Sequence, residues 1–239
     1  MNLNQQIEDW FISRKGQFLS ADRPFVTLAY AQSWDGSITT RRGEVLALSG
    51  TESTRLTHQL RSLHDGILVG IGTVLADDPL LTVREWDGPN PQPIVMDTQL
   101  RMPRTARLFH HPDKQCWILS VREGNGEFDK LAEVMTFNCH EQDQVQVPLQ
   151  DALELLRNKG ISTLMVEGGA RIITAFLRAR LADAIVMTVA PRLIGGYKAV
   201  GNLGAMPVDE LPQIRPLYSE KLGDDMIVWG DLHYGVTAR

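Results

Sequence analysis

Cysteine is scarce in this sequence: the 239 residues hold two, Cys116 and Cys139. Each lies in an apolar run and reads as a core residue. A chain this long buries roughly 70–75% of its unfolded surface, so it needs no disulfide or metal staple. Long apolar runs are missing too. None approaches the roughly eighteen residues of a membrane helix, and Glu8 and Asp9 fall where the apolar part of a secretory signal would have to be. A cytoplasmic protein without a membrane span is therefore expected. Basic excess is also lacking. Lys and Arg number 24 against 29 Asp and Glu, a formal net charge of −5. That argues against nucleic acid or anionic membranes as general partners, although local basic clusters can still bind a phosphate. No internal repeat or low-complexity tract is present. The length suits one large domain or two small ones.

What is present is an alternation of strand and helix signals. Ile7, Trp10, Phe11 and Phe18 predict an amphipathic helix over Gln5 to Leu19. Phe25 to Ala31 reads as a strand. Ser49 or Thr51 is expected to cap a helix that faces inward with Leu56, Leu60 and Leu63 and ends at Gly66. Strands follow at Ile67 to Val69, Ile94 to Asp97, Cys116 to Ser120 and Val134 to Asn138. Leu149 to Lys159 is a helix turned inward by Leu149, Leu153 and Leu156 and stopped by Gly160. A strand over Thr163 to Val166 then leads into a helix over Ala170 to Arg180, which buries Ile173, Phe176 and Leu177. Ala184 to Ala190 is another strand, largely apolar, which together with the C-terminal hairpin is expected to offer a sheet edge. Tyr218 to Leu222 and Met226 to Leu232 flank a hairpin turn, Gly223-Asp224-Asp225. The Pro- and Gly-rich segment Trp86 to Pro93 is a loop inside the unit. Together these predict an α/β domain with a mostly parallel sheet and an antiparallel C-terminal hairpin.

Two sites in this pattern point to a ligand. In Val69-Gly-Ile-Gly-Thr-Val-Leu-Ala-Asp-Asp-Pro79 an apolar strand ends in glycines, a short helical turn over Thr73 to Ala76 follows, and Asp77 and Asp78 come next, held by Pro79. In Leu164-Met-Val-Glu-Gly-Gly-Ala-Arg171 a strand ends in an acid and two glycines before a helix. Glycines at a strand end let backbone N–H groups approach a ligand, and helix N-termini suit phosphates. The first site is not the dinucleotide fingerprint, because Leu75 stands where its third glycine should be. His58 and His64 lie on or near one helix without a third ligand and read as polar surface. Trp86 and Trp117 read as packing residues. No Ser-His-Asp set or metal cluster is visible.

Five motifs in order carry a resemblance: Ser33-Trp-Asp-Gly36, Val69 to Pro79, Ile94-Val-Met-Asp-Thr98, Val166-Glu-Gly-Gly169 and Ala190-Pro-Arg-Leu-Ile-Gly-Gly196. From about Arg23 to Leu232 the chain resembles the pyrimidine reductase of riboflavin synthesis. That enzyme is the reductase half of the bacterial bifunctional deaminase–reductase, or the free-standing archaeal and fungal protein. The resemblance implies a dihydrofolate-reductase-like fold with helices on both faces, NADPH as hydride donor and a homodimer. It also implies a phosphorylated pyrimidine substrate whose ribosylamino group is reduced to ribitylamino. The domain division then reads as an N-terminal helical extension over 1–22 and one reductase domain over 23–239. No H-x-E followed by P-C-x-x-C occurs, so the zinc-deaminase half is not expected in this sequence.

Carried across by position, the resemblance assigns NADP contacts to Ala31, Thr73, Asp77, Thr98 and the helix start Gly168, Gly169, Ala170, Arg171, Ile172 and Ile173. It assigns substrate contacts to Asp35, Arg61, Leu81, Arg84 and Glu167, with Asp77 and Glu167 in catalytic roles. Arg61 and Arg84 can make charge-assisted forks to a phosphate. Arg122 is a candidate for the cofactor's 2′-phosphate. On local grounds alone, Asp35-Gly36 is a turn pair. The chain also departs from many bacterial members, with Ala29 at their strand Lys and Val45 and Ala47 near their Ser and Trp. Three readings stay open: the riboflavin-pathway reductase, a reductase of the same fold for another pterin-like or carbonyl substrate, and an idle NADP-binding protein.

Overall fold

The computed structural model describes residues 2–18, 20–124, 126, 128, 130–138, 146–205 and 207–235. Leu19 and Cys139 lie outside the described residues, so the expected helix end at Leu19 and the core reading of Cys139 do too. The chain opens with α1 (Leu3–Lys15), β1 (Phe25–Ser33) and the short β2 (Ser37–Thr39). Then come α2 (Thr51–Leu63), β3 (Gly66–Gly70), α3 (Ile71–Asp77), β4 (Gln92–Met96), β5 (Cys116–Ser120) and β6 (Ala132–Thr136). The remainder is α4 (Leu149–Asn158), β7 (Thr163–Gly168), α5 (Ala170–Arg178), β8 (Ala184–Ala190), β9 (Tyr197–Lys198), β10 (Gln213–Leu222) and β11 (Asp225–His233).

One nine-stranded sheet runs β10-β11-β8-β1-β7-β3-β4-β5-β6, and β2 pairs with β9 apart from it. The pairs from β8 through β6 are parallel, while β11 meets β8 and β10 antiparallel. β3 is buried at all five residues, which is why its sequence is an uninterrupted Gly-Ile-Leu-Val-Gly run. Apolar cores lie on both faces. Leu56 and Leu60 of α2, Val74 of α3 and Phe11 of α1 belong to one. Leu153 and Leu156 of α4 and Ile173 and Phe176 of α5 belong to the other. The chain lays β3 to β6 outward to one edge, and α4 returns it so that β7 slots between β1 and β3. α5 then leads to β8 on the far side of β1. Ligand crevices of open α/β sheets form at such reversals, outside the carboxyl ends of the strands.

Several expectations change here. α1 runs over Leu3–Lys15 rather than from Gln5, and it buries Leu3, Ile7, Trp10 and Phe11 in the same core as α2. Phe18 is only half-buried, in a short turn after the helix. Neither Ser49 nor Thr51 caps α2. Gly50 holds that position and its carbonyl accepts from the Thr54 N–H. α2 stops at Leu63 rather than Gly66, because His64 is pinned by Nδ1 to the Leu60 carbonyl (2.7 Å) and by Nε2 to Thr27 Oγ1 (2.9 Å). His58 and His64, expected at the surface, are both buried. Burial pushes the His64 imidazole down to about 4, so it stays uncharged. Cys116 is buried as expected, and its thiol is pushed up to about 12. β8 is not a sheet edge, since β1 and β11 flank it; the edges are β6 and β10.

Candidate active site

Two strand ends build the site. At the end of β3, Gly70 lets α5 come close: a Cβ there would stand 2.7 Å from Ile172 Cγ1. α3 follows at once and ends in Asp77, and Asp78 (φ 40°) closes it in the left-handed region. Asp78 Oδ1 accepts from the Arg107 N–H (2.8 Å), which ties the turn to the next loop. At the end of β7 the pairing with β3 slips: Leu68 faces Val166, but Val69 faces Gly168. Glu167 is the residue left over. A bulge of this kind re-aims the side chain it carries.

Glu167 meets Arg61 of α2 in a two-pronged ion pair. Arg61 Nε donates to Oε2 at 2.8 Å and the NH2 nitrogen to Oε1 at 2.5 Å, while the NH1 nitrogen donates to the Thr82 carbonyl at 2.9 Å. Burial works against the Arg61 charge, but the Glu167 carboxylate outweighs it and holds the guanidinium above its usual range. All three nitrogens are thus engaged within the protein, so a phosphate fork at Arg61 would have to draw on the second N–H of each terminal nitrogen. Arg84 differs. It is exposed, and its NH1 nitrogen donates to Thr82 Oγ1 (3.0 Å). Its backbone N–H donates to His58 Nδ1 (3.1 Å).

Arg61, Arg84, Asp77, Glu167 and Ala31 line one cavity of about 370 Å³. Tyr30, Ala47, Ser49, Thr57, His58 and Thr188 line it too. Ala29 and Ala31 of β1 sit in register with Val186 and Thr188 of β8, giving a floor of small and β-branched side chains. Burial pushes the Tyr30 phenol up to about 12. Asp77 is held above the ordinary carboxylate range, first by burial and then by the charge of Glu167. It therefore keeps a proton to higher pH than a free aspartate does.

Beside the cavity stands the start of α5. Gly168 (φ 132°) has open space where a Cβ would be, and a Cβ on Gly169 would lie 3.4 Å from Thr73 Oγ1. The Gly169 carbonyl accepts from the Ile172 and Ile173 N–H groups, so the amides of Ala170 and Arg171 belong to the first turn that no helical carbonyl satisfies. Thr98 and Arg122 stand at neighbouring strand ends. The Thr98 carbonyl accepts from the Val121 N–H (3.3 Å), and Arg122 Nε donates to Gln99 Oε1 (3.0 Å).

Three expected contacts fall elsewhere. Ile173 and Leu81 are each 1% exposed, so their side chains are core, and Leu81 holds a turn at φ 58°. Asp35 does not line the cavity. Its carboxylate accepts from Ser33 Oγ, Ser37 Oγ, the Ile194 and Gly195 N–H groups and Lys198 Nζ. Lys198 foremost, then these other donors, hold it below the ordinary range. It fastens Ile194, Gly195 and the β9 residue Lys198 to the end of β1. Trp86 and Trp117 lie under cations, Arg55 at 5.0 Å and Lys159 at 4.9 Å. Sequence reasoning missed Tyr30, Thr188 and His58 as lining residues. A signal existed for His58, which stands three residues before Arg61 and so shares its helix face.

A family model described as RibD C-terminal domain matches residues 24–228. The riboflavin biosynthesis protein RibD of Aquifex aeolicus is 32% identical over 231 residues, covering 93% of this chain and 60% of that protein. This chain thus spans less than two thirds of that relative's length. The 2,5-diamino-6-ribosylamino-4(3H)-pyrimidinone 5′-phosphate reductase of Archaeoglobus fulgidus is 38% identical over 187 residues, covering 73% of this chain and 83% of it. Among solved structures, the riboflavin biosynthesis reductase Rib7 of Saccharomyces cerevisiae superposes with a TM-score of 0.76 at 26% identity, covering 95% of this chain and 98% of it.

Proposed function

The chain belongs to the RibD C-terminal domain family, and from that premise we propose that it reduces a ribosylamino-pyrimidine 5′-phosphate to the ribitylamino compound with NADPH. The observation that carries the reading is the meeting of the Arg61–Glu167 pair, Asp77 and Arg84 on one cavity at the strand ends. The cofactor fits the glycine-led start of α5. Gly168 and Gly169 leave backbone open to a pyrophosphate, the first-turn amides of Ala170 and Arg171 face unsatisfied, and Thr73 adjoins. Thr98 and Arg122 extend that line toward a 2′-phosphate. When bound, NADPH supplies the hydride.

The protein's own groups do the rest. Arg84 anchors the substrate phosphate from the exposed rim. Glu167, held still by Arg61, accepts hydrogen bonds from the pyrimidine edge or a sugar hydroxyl. When the sugar opens and its C1′ is reduced, the attached nitrogen must gain a proton. Asp77 retains a proton to higher pH than usual and stands in the cavity wall, so it is the group to give it. The assay is NADPH oxidation with the aminated and deaminated ribosylamino-pyrimidine phosphates side by side, with dihydrofolate as control. Turnover on a pyrimidine phosphate and none on dihydrofolate is expected; no pyrimidine-dependent oxidation overturns the reading. Gly169→Leu should weaken NADPH binding in a folded protein, read by titration.

The same reading includes a homodimer. β10 supports it, as an edge strand with Leu217 57% and Tyr218 41% exposed. Light scattering that returns a stable monomer at micromolar concentration removes this part. Among the described residues no helix is long and apolar enough to cross a membrane.

A further inference from the structure

We infer that His58 is a substrate-binding residue: its Nε2–H donates a hydrogen bond to an oxygen of the substrate's sugar, between the phosphate at Arg84 and the ring end at Glu167. The inference rests on the function proposed above and adds a contact to it. His58 is 2% exposed and lines the cavity. Its Nδ1 accepts the Arg84 N–H at 3.1 Å, so Nδ1 carries no proton. Burial first, then the charges of Arg61 and Arg84, holds the imidazole below its ordinary range, so the ring is neutral. A neutral ring with Nδ1 as acceptor has its one proton on Nε2.

Among the described residues, the His58 side chain has no hydrogen bond other than the one at Nδ1. Of the charged groups that act on His58, Arg61 and Arg84 are donors only and cannot accept from Nε2, while Glu85 makes no hydrogen bond to it and both Glu167 oxygens accept from Arg61. The missing partner is therefore an acceptor that arrives with the ligand. Depth selects which one. Arg84 is exposed and His58 is buried beneath its backbone, one helical turn from the arginine that grips Glu167. A ligand running from Arg84 inward to Glu167 passes His58 with its middle, which in this substrate is the sugar. A neutral imidazole there polarises an oxygen without giving up its proton, so no proton transfer is assigned to it.

The test compares wild type, His58→Phe and His58→Gln on the phosphorylated substrate and on its dephosphorylated nucleoside, with NADPH titration beside it. His58→Phe is expected to lose roughly tenfold in kcat/KM on both substrates, the size of one neutral hydrogen bond, with NADPH affinity unchanged. His58→Gln, which keeps a donor, should recover part of the loss. Unchanged kinetics in a folded His58→Phe protein overturn the inference. So does a loss confined to the phosphorylated substrate, which would mean His58 acts only through the Arg84 loop. If the variants do not fold, ¹⁵N-imidazole NMR of the wild-type protein decides: saturating ribitylamino product should shift the His58 Nε2–H signal. An Nδ1–H tautomer, or an Nε2 signal the product leaves in place, overturns it. A wild-type chain without turnover removes the functional reading and this inference with it, whereas wild-type turnover with indifferent His58 variants removes the inference alone.

Discussion

Arg61 and Arg84 reach one cavity from opposite kinds of surroundings. Arg61 comes from inside α2, is 8% exposed, and gives its guanidinium to Glu167 and the Thr82 carbonyl. Arg84 comes from the loop after α3 and is exposed, with Thr82 Oγ1 as a side-chain partner. As residue types they offer a phosphate the same fork. The difference teaches that burial and a prior partner decide what an arginine is for. A buried guanidinium already clasping a carboxylate would have to release it to grip a ligand, and leaving that carboxylate alone is costly. An exposed one offers its donors at little cost.

The largest expected effect comes from removing the inner arginine. Arg61→Ala leaves Glu167 without its cation, with 22% of its side chain exposed. A loss of about 2–4 kcal/mol in urea unfolding is expected, together with roughly a hundredfold lower kcat/KM on phosphorylated substrate and nucleoside alike. A penalty seen only with the phosphorylated substrate would break the comparison. Arg61→Ala with Glu167→Gln sharpens it. Without the lone charge the double variant should recover about 1–3 kcal/mol relative to the sum of the single changes; strict additivity would mean the pair does not couple.

Removing the outer arginine should be milder and more selective. Arg84→Ala is expected to lose about ten- to a hundredfold in kcat/KM on the phosphorylated substrate, little on the nucleoside, and within about 0.5 kcal/mol in stability. Equal losses on both substrates would show that Arg84 does not read the phosphate.

Asp77→Asn should have the smallest effect on stability and a clear one on turnover. The Asp77 carboxyl is held above its ordinary range by burial and by Glu167, so the folded protein binds that proton more tightly than the unfolded chain does. Its contribution is fully present below the ordinary carboxylate pKa and is lost as pH rises through the higher folded value. Asparagine cannot ionise. The variant should therefore be slightly more stable than wild type at neutral pH, and the gap should close as pH falls into the ordinary carboxylate range. Turnover should drop, and the alkaline limb expected of wild type from the raised Asp77 carboxyl should be absent. A variant with the wild-type pH profile would remove Asp77 as the proton source.

Much of this was legible beforehand. The buried strands announce themselves as short apolar runs, α4 and α5 by period, and the glycines by their place between strand and helix. Of the cavity-lining residues, Asp77 and Glu167 lie in the five ordered motifs, and Ala31, Arg61 and Arg84 follow by position from the resemblance those motifs carry. Asp35 was named as well, yet its turn chemistry, the reading its two-residue context offered, is what its hydrogen bonds follow. His58 reads as surface because a polar residue on a helix carries no mark of its own burial; only its place one turn before Arg61 ties it to the cavity face. β8 was misread as an edge because a strand's neighbours are not written in the strand.

The sequence by itself determined the kinds of element, their order and the glycine-led starts of α3 and α5, because period, capping and turn chemistry act within a few residues. Only the tertiary structure decided that β7 enters between β1 and β3, that the slip against β3 leaves Glu167 unpaired in the sheet, and that Arg61, 106 positions earlier, closes on it. It also decided that His58 turns one ring nitrogen to the Arg84 backbone. Register between distant strands and pairing between distant charges are set by which packed arrangement buries the apolar faces and satisfies the polar groups together. No local stretch of chain carries that information.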